Sequence, residues 1–158
     1  MIVRVPDLTE EVREVEFREP AALLNARMDA SPGWDDEHFD GDLEVHGQLY
    51  RTESDVHFSG TVSGQVRSVC PRCLEEFVWP LRRDFRFVIV PARGGAEPED
   101  DEGIDHYSGD DLDLAPLVCE QGLLALDPSL LCSESCRGLC AGCGANLNVE
   151  ECRCAKRR

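Results

Sequence analysis

Thiols crowded at spacings of one to three residues are the raw material of a metal site, and this chain sets Cys132, Cys136, Cys140, Cys143, Cys152 and Cys154 close together. A second pair, Cys70 and Cys73, stands far upstream in a CPRC motif. Zinc binds four ligands in a tetrahedron, and a C-x2-C turn delivers two sulfurs to one ion without strain, so two close pairs complete one site. The four pairs Cys70/Cys73, Cys132/Cys136, Cys140/Cys143 and Cys152/Cys154 therefore amount to two zinc sites. They combine in three ways. The favoured grouping joins Cys140, Cys143, Cys152 and Cys154 locally, because a short intervening loop closes at low entropic cost. The other site then ties Cys70 and Cys73 to Cys132 and Cys136. Each set of four thiolates fills a tetrahedron and leaves no open position for substrate, which points to structural rather than catalytic zinc. An iron–sulfur cluster also takes four thiolates, and zinc is favoured only by the paired knuckle spacing.

The glycine after Cys143 is the most specific element of the pattern. Gly144 is free to adopt the left-handed turn that aims backbone N–H groups at the sulfurs. The ninth cysteine, Cys119, falls in an apolar run and reads as a small core residue. His38, His46, His57 and His106 are scattered without ligand spacing and read as non-functional. A CPRC motif also serves dithiol redox chemistry, but that use needs the first thiol at a helix N-terminus. Long strand patterns flank the motif here, so a thiol oxidoreductase is the weakest reading.

Those strands are the elements that must position the thiols. Leu43, Val45, Gly47 and Leu49 alternate with polar residues, as do Val56, Phe58, Val62 and Val66 after a polar turn at 52–55. Phe77, Trp79, Leu81, Phe85, Phe87 and Ile89 repeat the pattern after the CPRC motif, which is thereby placed in a turn between antiparallel strands. Gly60 and Gly64 on the apolar face announce a bend or a close approach. A weaker strand is expected over 12–17 and a short helix over 20–28. An apolar helix is expected from Leu114 to Leu126, capped by Asp113 and closed by Asp127-Pro128, and nearly apolar enough all round to lie buried on the sheet. The expected class is α+β: a mainly antiparallel β-sheet packed by one buried helix, with a C-terminal Cys-rich zinc knuckle. At this length one domain over 1–158 is expected, with a β-rich region at 12–93, an acidic linker at 94–111, the helix at 112–127 and the zinc-binding segment at 132–154.

The net charge of −16 is unevenly spread. Acids crowd 34–44 and 97–113, whereas the stretch from Arg137 to Arg158 is net basic and ends in Lys156, Arg157 and Arg158. So acidic a chain has no general affinity for phosphate backbones. RNA contact would run through the basic end or through a basic protein partner. With no apolar run of membrane-spanning length and no secretory signal pattern, a cytoplasmic protein with reduced thiols is expected. No phosphate loop, nucleophile elbow or other catalytic constellation is present, and neither an enzyme activity nor a small-molecule substrate is expected.

The string from Leu112 through LLAL to LCSESCRGLCAGCGANLNVEECRC, together with VCPRCLEEF upstream, resembles the YceD-like family of large ribosomal RNA subunit accumulation proteins. The resemblance covers about 56–154. It implies a non-enzymatic bacterial factor needed for large-subunit ribosomal RNA to accumulate, and hence for ribosome assembly. It also carries over Cys70, Cys73, Cys132, Cys136, Cys140, Cys143, Cys152 and Cys154 as the family's cysteine positions. The implied partner is a large-subunit precursor, met through RNA, through a basic ribosomal protein, or both. An acidic chaperone for one basic ribosomal protein is the alternative.

Overall fold

Alternating strand patterns dominate the chain, and the computed structural model turns them into a six-stranded, mainly antiparallel sheet with two helices on one face. It describes residues 1–30, 37–92, 105–127 and 130–154. The strands are β1 (Ile2–Arg4), β2 (Arg13–Glu19), β3 (His38–Phe39), β4 (Leu43–Thr52), β5 (Asp55–Val69), β6 (Glu76–Pro91), β7 (Asp105–Tyr107) and β8 (Asp111–Asp113). The helices are α1 (Ala21–Asp29) and α2 (Ala115–Leu124). The large sheet runs β2-β4-β5-β6-β7, with β3 also on β5, and β1 pairs separately with β8.

The register explains the alternation. Phe58 lies opposite Leu49 on one side and Phe87 on the other, and Val62 lies opposite Val45, so one face is continuously apolar. Leu43, Val45, Leu49, Val56, Phe58, Val62 and Val66 are all buried there. Helix residues Leu24, Met28, Leu117 and Val118 complete that core. The glycines on this face mark a close approach. Gly47 sits opposite Gly60 across β4 and β5, and a Cβ on Gly60 would come within 2.6 Å of the Gly47 Cα. Position 83 interrupts the apolar series of β6, and α2 supplies the reason. Arg83 donates through Nε to Gln121 Oε1 at 2.9 Å and through Nη1 to the Leu124 carbonyl at 3.2 Å, satisfying a free carbonyl at the helix C-terminus.

The helix is shorter than expected. Leu112 and Asp113 belong to β8, and α2 begins at Ala115, whose N–H is held by Asp113 Oδ1 at 3.1 Å. Pro128 and the core of the acidic linker, 93–104, lie outside the described residues. The remainder of that linker is not featureless. Asp105–Tyr107 pairs with the end of β6 as the sheet's one parallel strand among the described residues. The short helix α1 forms where expected and orders β3, because the Asn25 side chain donates to the Phe39 carbonyl and accepts from its N–H. No helix among the described residues is long and apolar enough to cross a membrane.

Candidate metal centres

The hairpin of β5 and β6 closes from Val69 to Glu76, and the CPRC motif occupies its turn. Within that turn the Leu74 N–H donates to the Cys70 carbonyl at 2.8 Å and the Cys70 N–H to the Glu75 carbonyl at 3.0 Å. The second motif repeats the arrangement. Gly144 N–H donates to the Cys140 carbonyl at 2.8 Å and Cys140 N–H to the Ala145 carbonyl at 2.9 Å. These are two copies of one knuckle, each with a left-handed residue after its second cysteine: Leu74 at φ 59° and Gly144 at φ 70°. Glycine adopts this conformation freely, whereas leucine is strained in it. A leucine in this place carries no glycine-type signal, so the equivalence of the two motifs was not visible in the sequence.

The knuckles gather the remaining thiols into two sets of four. Cys70, Cys73, Cys132 and Cys136 form one, Cys140, Cys143, Cys152 and Cys154 the other, with the sulfurs of each set all within 4.8 Å of one another. This is the grouping favoured from loop length. A tetrahedron with Zn–S near 2.3 Å has edges of about 3.8 Å. The Sγ separations are 3.8 Å for Cys70–Cys136, 3.6 Å for Cys73–Cys132, 3.3 Å for Cys140–Cys152 and 3.9 Å for Cys140–Cys154, so the donor sets fit such an ion. All nine cysteines are unbridged. Cys119 is buried in the main core, and none of the four histidines joins either cluster.

Electrostatics divide the thiols of each cluster. Burial opposes a charge on Cys70, but the amides of Cys132, Cys73 and Arg72 outweigh it and hold the thiol at about 6. The amides of Ala145 and Arg153 bring Cys143 to about 6 as well. Cys136 is lowered chiefly by the Asn148 side-chain amide, whose Nδ2 lies 3.4 Å from its sulfur, and Cys140 chiefly by the Gly142 amide. Their partners move the other way. Cys132, chiefly through the neighbouring Cys136 thiol, and Cys154, chiefly through the neighbouring Cys143 thiol, are pushed up to about 12. Each set thus pairs thiolates with thiols that retain protons, and a dication would displace those protons.

The two centres differ in their attachment. Cys70, Cys73 and Cys136 are buried, and the segment after Cys132 is fastened to the hairpin turn. Leu139 N–H donates to the Arg72 carbonyl at 2.9 Å, Arg72 Nη1 to the Cys136 carbonyl at 3.3 Å, and Asn146 Nδ2 to Glu75 Oε1 at 3.2 Å. Gly138, at φ 70°, permits this contact, since a Cβ there would lie 2.9 Å from the Arg72 carbonyl oxygen. In the second centre Cys143 and Cys154 are exposed. Arg153 is paired with Glu150 at 2.9 Å, and Lys156, Arg157 and Arg158 lie outside the described residues.

A mainly antiparallel sheet with two helices, bearing two tetracysteine knuckle centres at one end of a hairpin, defines a small non-barrel class of metal-competent protein. Residues 58–158 match the model of the family described as large ribosomal RNA subunit accumulation protein YceD, and the chain belongs to that family. Its name ties the chain to accumulation of large-subunit ribosomal RNA. Comparisons with curated proteins and with solved structures give no match.

Proposed function

We propose that the chain is a non-enzymatic, cytoplasmic factor of large-subunit assembly, acting by binding to the precursor, with Cys70, Cys73, Cys132 and Cys136 holding one structural zinc and Cys140, Cys143, Cys152 and Cys154 another. The observation that carries this reading is the pair of closed four-sulfur sets, read together with family membership. With every tetrahedral position taken by a sulfur, such an ion shapes a binding surface and activates no water. When bound it would lock the C-terminal segment onto the β5–β6 turn. The dithiol redox reading is disfavoured by placement, because Cys70 follows a strand and precedes another, with no helix dipole to activate it. Depletion of the protein followed by profiling of ribosomal RNA is the test. Mature large-subunit RNA should fall and the subunit ratio shift, and unchanged amounts of both would refute the reading.

A second reading, an acidic chaperone for a basic ribosomal protein, is favoured by the net charge of −16. Part of the acid surface is already engaged, since Asp40 pairs with Arg67 and Glu44 with Arg18. Capture of one basic ribosomal protein at low salt, lost at high salt, would support it. Capture of none would exclude it.

A further inference from the structure

A cleft of about 570 Å³ opens outward from the Cys73 and Cys132 side of the first metal centre and extends well past its sulfurs. Glu75 of the first knuckle walls it on one side, and Ser133, Ser135, Arg137, Asn146 and Val149 of the C-terminal segment wall the other. Its polar groups have capacity to spare. Arg137 is tied down through its backbone, which donates to Asn148 Oδ1 at 2.8 Å, while its guanidinium has no partner among the described residues. Asn146 spends one amide hydrogen on Glu75 Oε1 and keeps the other. Glu75 keeps its second oxygen. The Ser133 and Ser135 hydroxyls share a single contact at 3.4 Å. Val149 is 78% exposed, an apolar surface with nothing upon it.

We propose that this cleft receives one unpaired nucleotide of single-stranded RNA. Its phosphate meets the Arg137 guanidinium, its base lies on Val149, and its edge faces Asn146 and Glu75. The inference rests on the assembly reading above and names the contact that reading lacks. Donor and acceptor stand side by side in the Asn146 amide and the Glu75 carboxylate, so they select a base. Guanine offers O6 to the amide and two N–H groups to the carboxylate. Uracil offers the first two of these groups but turns a carbonyl toward the second carboxylate oxygen, where it is repelled.

Charge restricts the contact to the cleft. At a net charge of −16 the molecule as a whole repels a phosphate backbone. Affinity should therefore stop rising once an oligonucleotide fills the cleft, and its salt dependence should correspond to about one phosphate, a log–log slope of roughly −0.7.

The test is fluorescence anisotropy with the metal-loaded full chain and labelled single-stranded RNA hexamers that differ only in one central base, G, A, C or U. The G hexamer is expected to bind about tenfold tighter than the U hexamer, as for one well-made polar contact set. Arg137→Gln should weaken every hexamer about tenfold. Val149→Ser should also weaken them all, and Glu75→Gln should erase the preference for G over U while binding persists. Native mass spectrometry of each variant separates these effects from loss of metal, and Asn146→Ala provides an independent variant of the base-reading pair if Glu75→Gln loses an ion. Binding without base preference, abolished by replacing Lys156, Arg157 and Arg158 with Ser and untouched by Arg137→Gln, would overturn the cleft and leave the assembly reading standing. Absence of RNA binding, with a basic ribosomal protein captured instead, would also overturn it in favour of a protein contact.

Discussion

Replacing Gly60 with alanine tests the sheet that carries the first knuckle. The added Cβ would collide with the His46 carbonyl oxygen and lie 2.6 Å from the Gly47 Cα, and both are backbone atoms of the neighbouring strand. Neither can swing aside, so β4 must separate from β5 along a ladder that runs from Glu44–Ser63 to Thr52–Asp55. Overpacking of this kind costs roughly 1–3 kcal/mol, and the gain from a less flexible unfolded chain returns only about 0.4–1 kcal/mol. A net loss of about 2 kcal/mol is expected, since backbone contacts place the cost at the upper end. For a chain of this size that is a fall of roughly 4–8 °C in Tm. Gly64, on the same face of the same strand, is the control. A Cβ there would meet the tip of Leu43 at 2.7 Å, a side chain able to rotate, so Gly64→Ala should stay within about 1 kcal/mol of the parent. Thermal and urea unfolding of zinc-saturated protein measure both. Equal effects, or a neutral Gly60→Ala, would refute the pairing of β4 with β5 in this register.

Native mass spectrometry of the reduced protein should show two zinc ions, and Cys143→Ser should lose one while the strands remain folded. Cys136→Ser should also lose one, but should free the C-terminal segment from the hairpin turn, seen as new protease cleavage between 130 and 154. Leu74 is 65% exposed in a left-handed conformation, so Leu74→Gly should leave metal content unchanged and stabilise the chain by about 0.5 kcal/mol in urea unfolding; a clear loss of stability would show that the leucine side chain packs. Burial first, then the charge of Glu19, pushes the Cys119 thiol up. In iodoacetamide labelling at pH 8, chelation of the metal should therefore expose eight cysteines and leave Cys119 to react only on unfolding.

The long strands were legible because alternation records a face, and here one face packs on helices while the other meets solvent. The knuckle at Cys140 was legible for a different reason, since Gly144 advertises the turn that its thiols require. What escaped depended on contacts between distant segments. Nothing local in Asp105–Tyr107 reveals a strand, because its acids are uncovered by any period and its pairing comes from the end of β6. Arg83 looks like an interruption until the C-terminus of α2 is placed above it. The cleft near Arg137 is likewise a product of assembly, since Glu75 and Asn146 meet across a separation of 71 residues. Loop length anticipated the grouping of the thiols because the entropy cost of closure rises with that length.

The two centres also keep different time. Sulfurs of the second lie 12 and 14 residues apart, whereas those of the first lie 59 and 66 apart. By closure entropy alone the longer loop costs about 1.4 kcal/mol more, so the second set would close on an ion without help from the sheet. The first centre has no such independence. As the chain is synthesised, the β5–β6 hairpin presents half a ligand set and waits for Cys132 and Cys136 to emerge. An ion held there would therefore mark a chain whose hairpin has formed and whose segment through Cys136 has reached it.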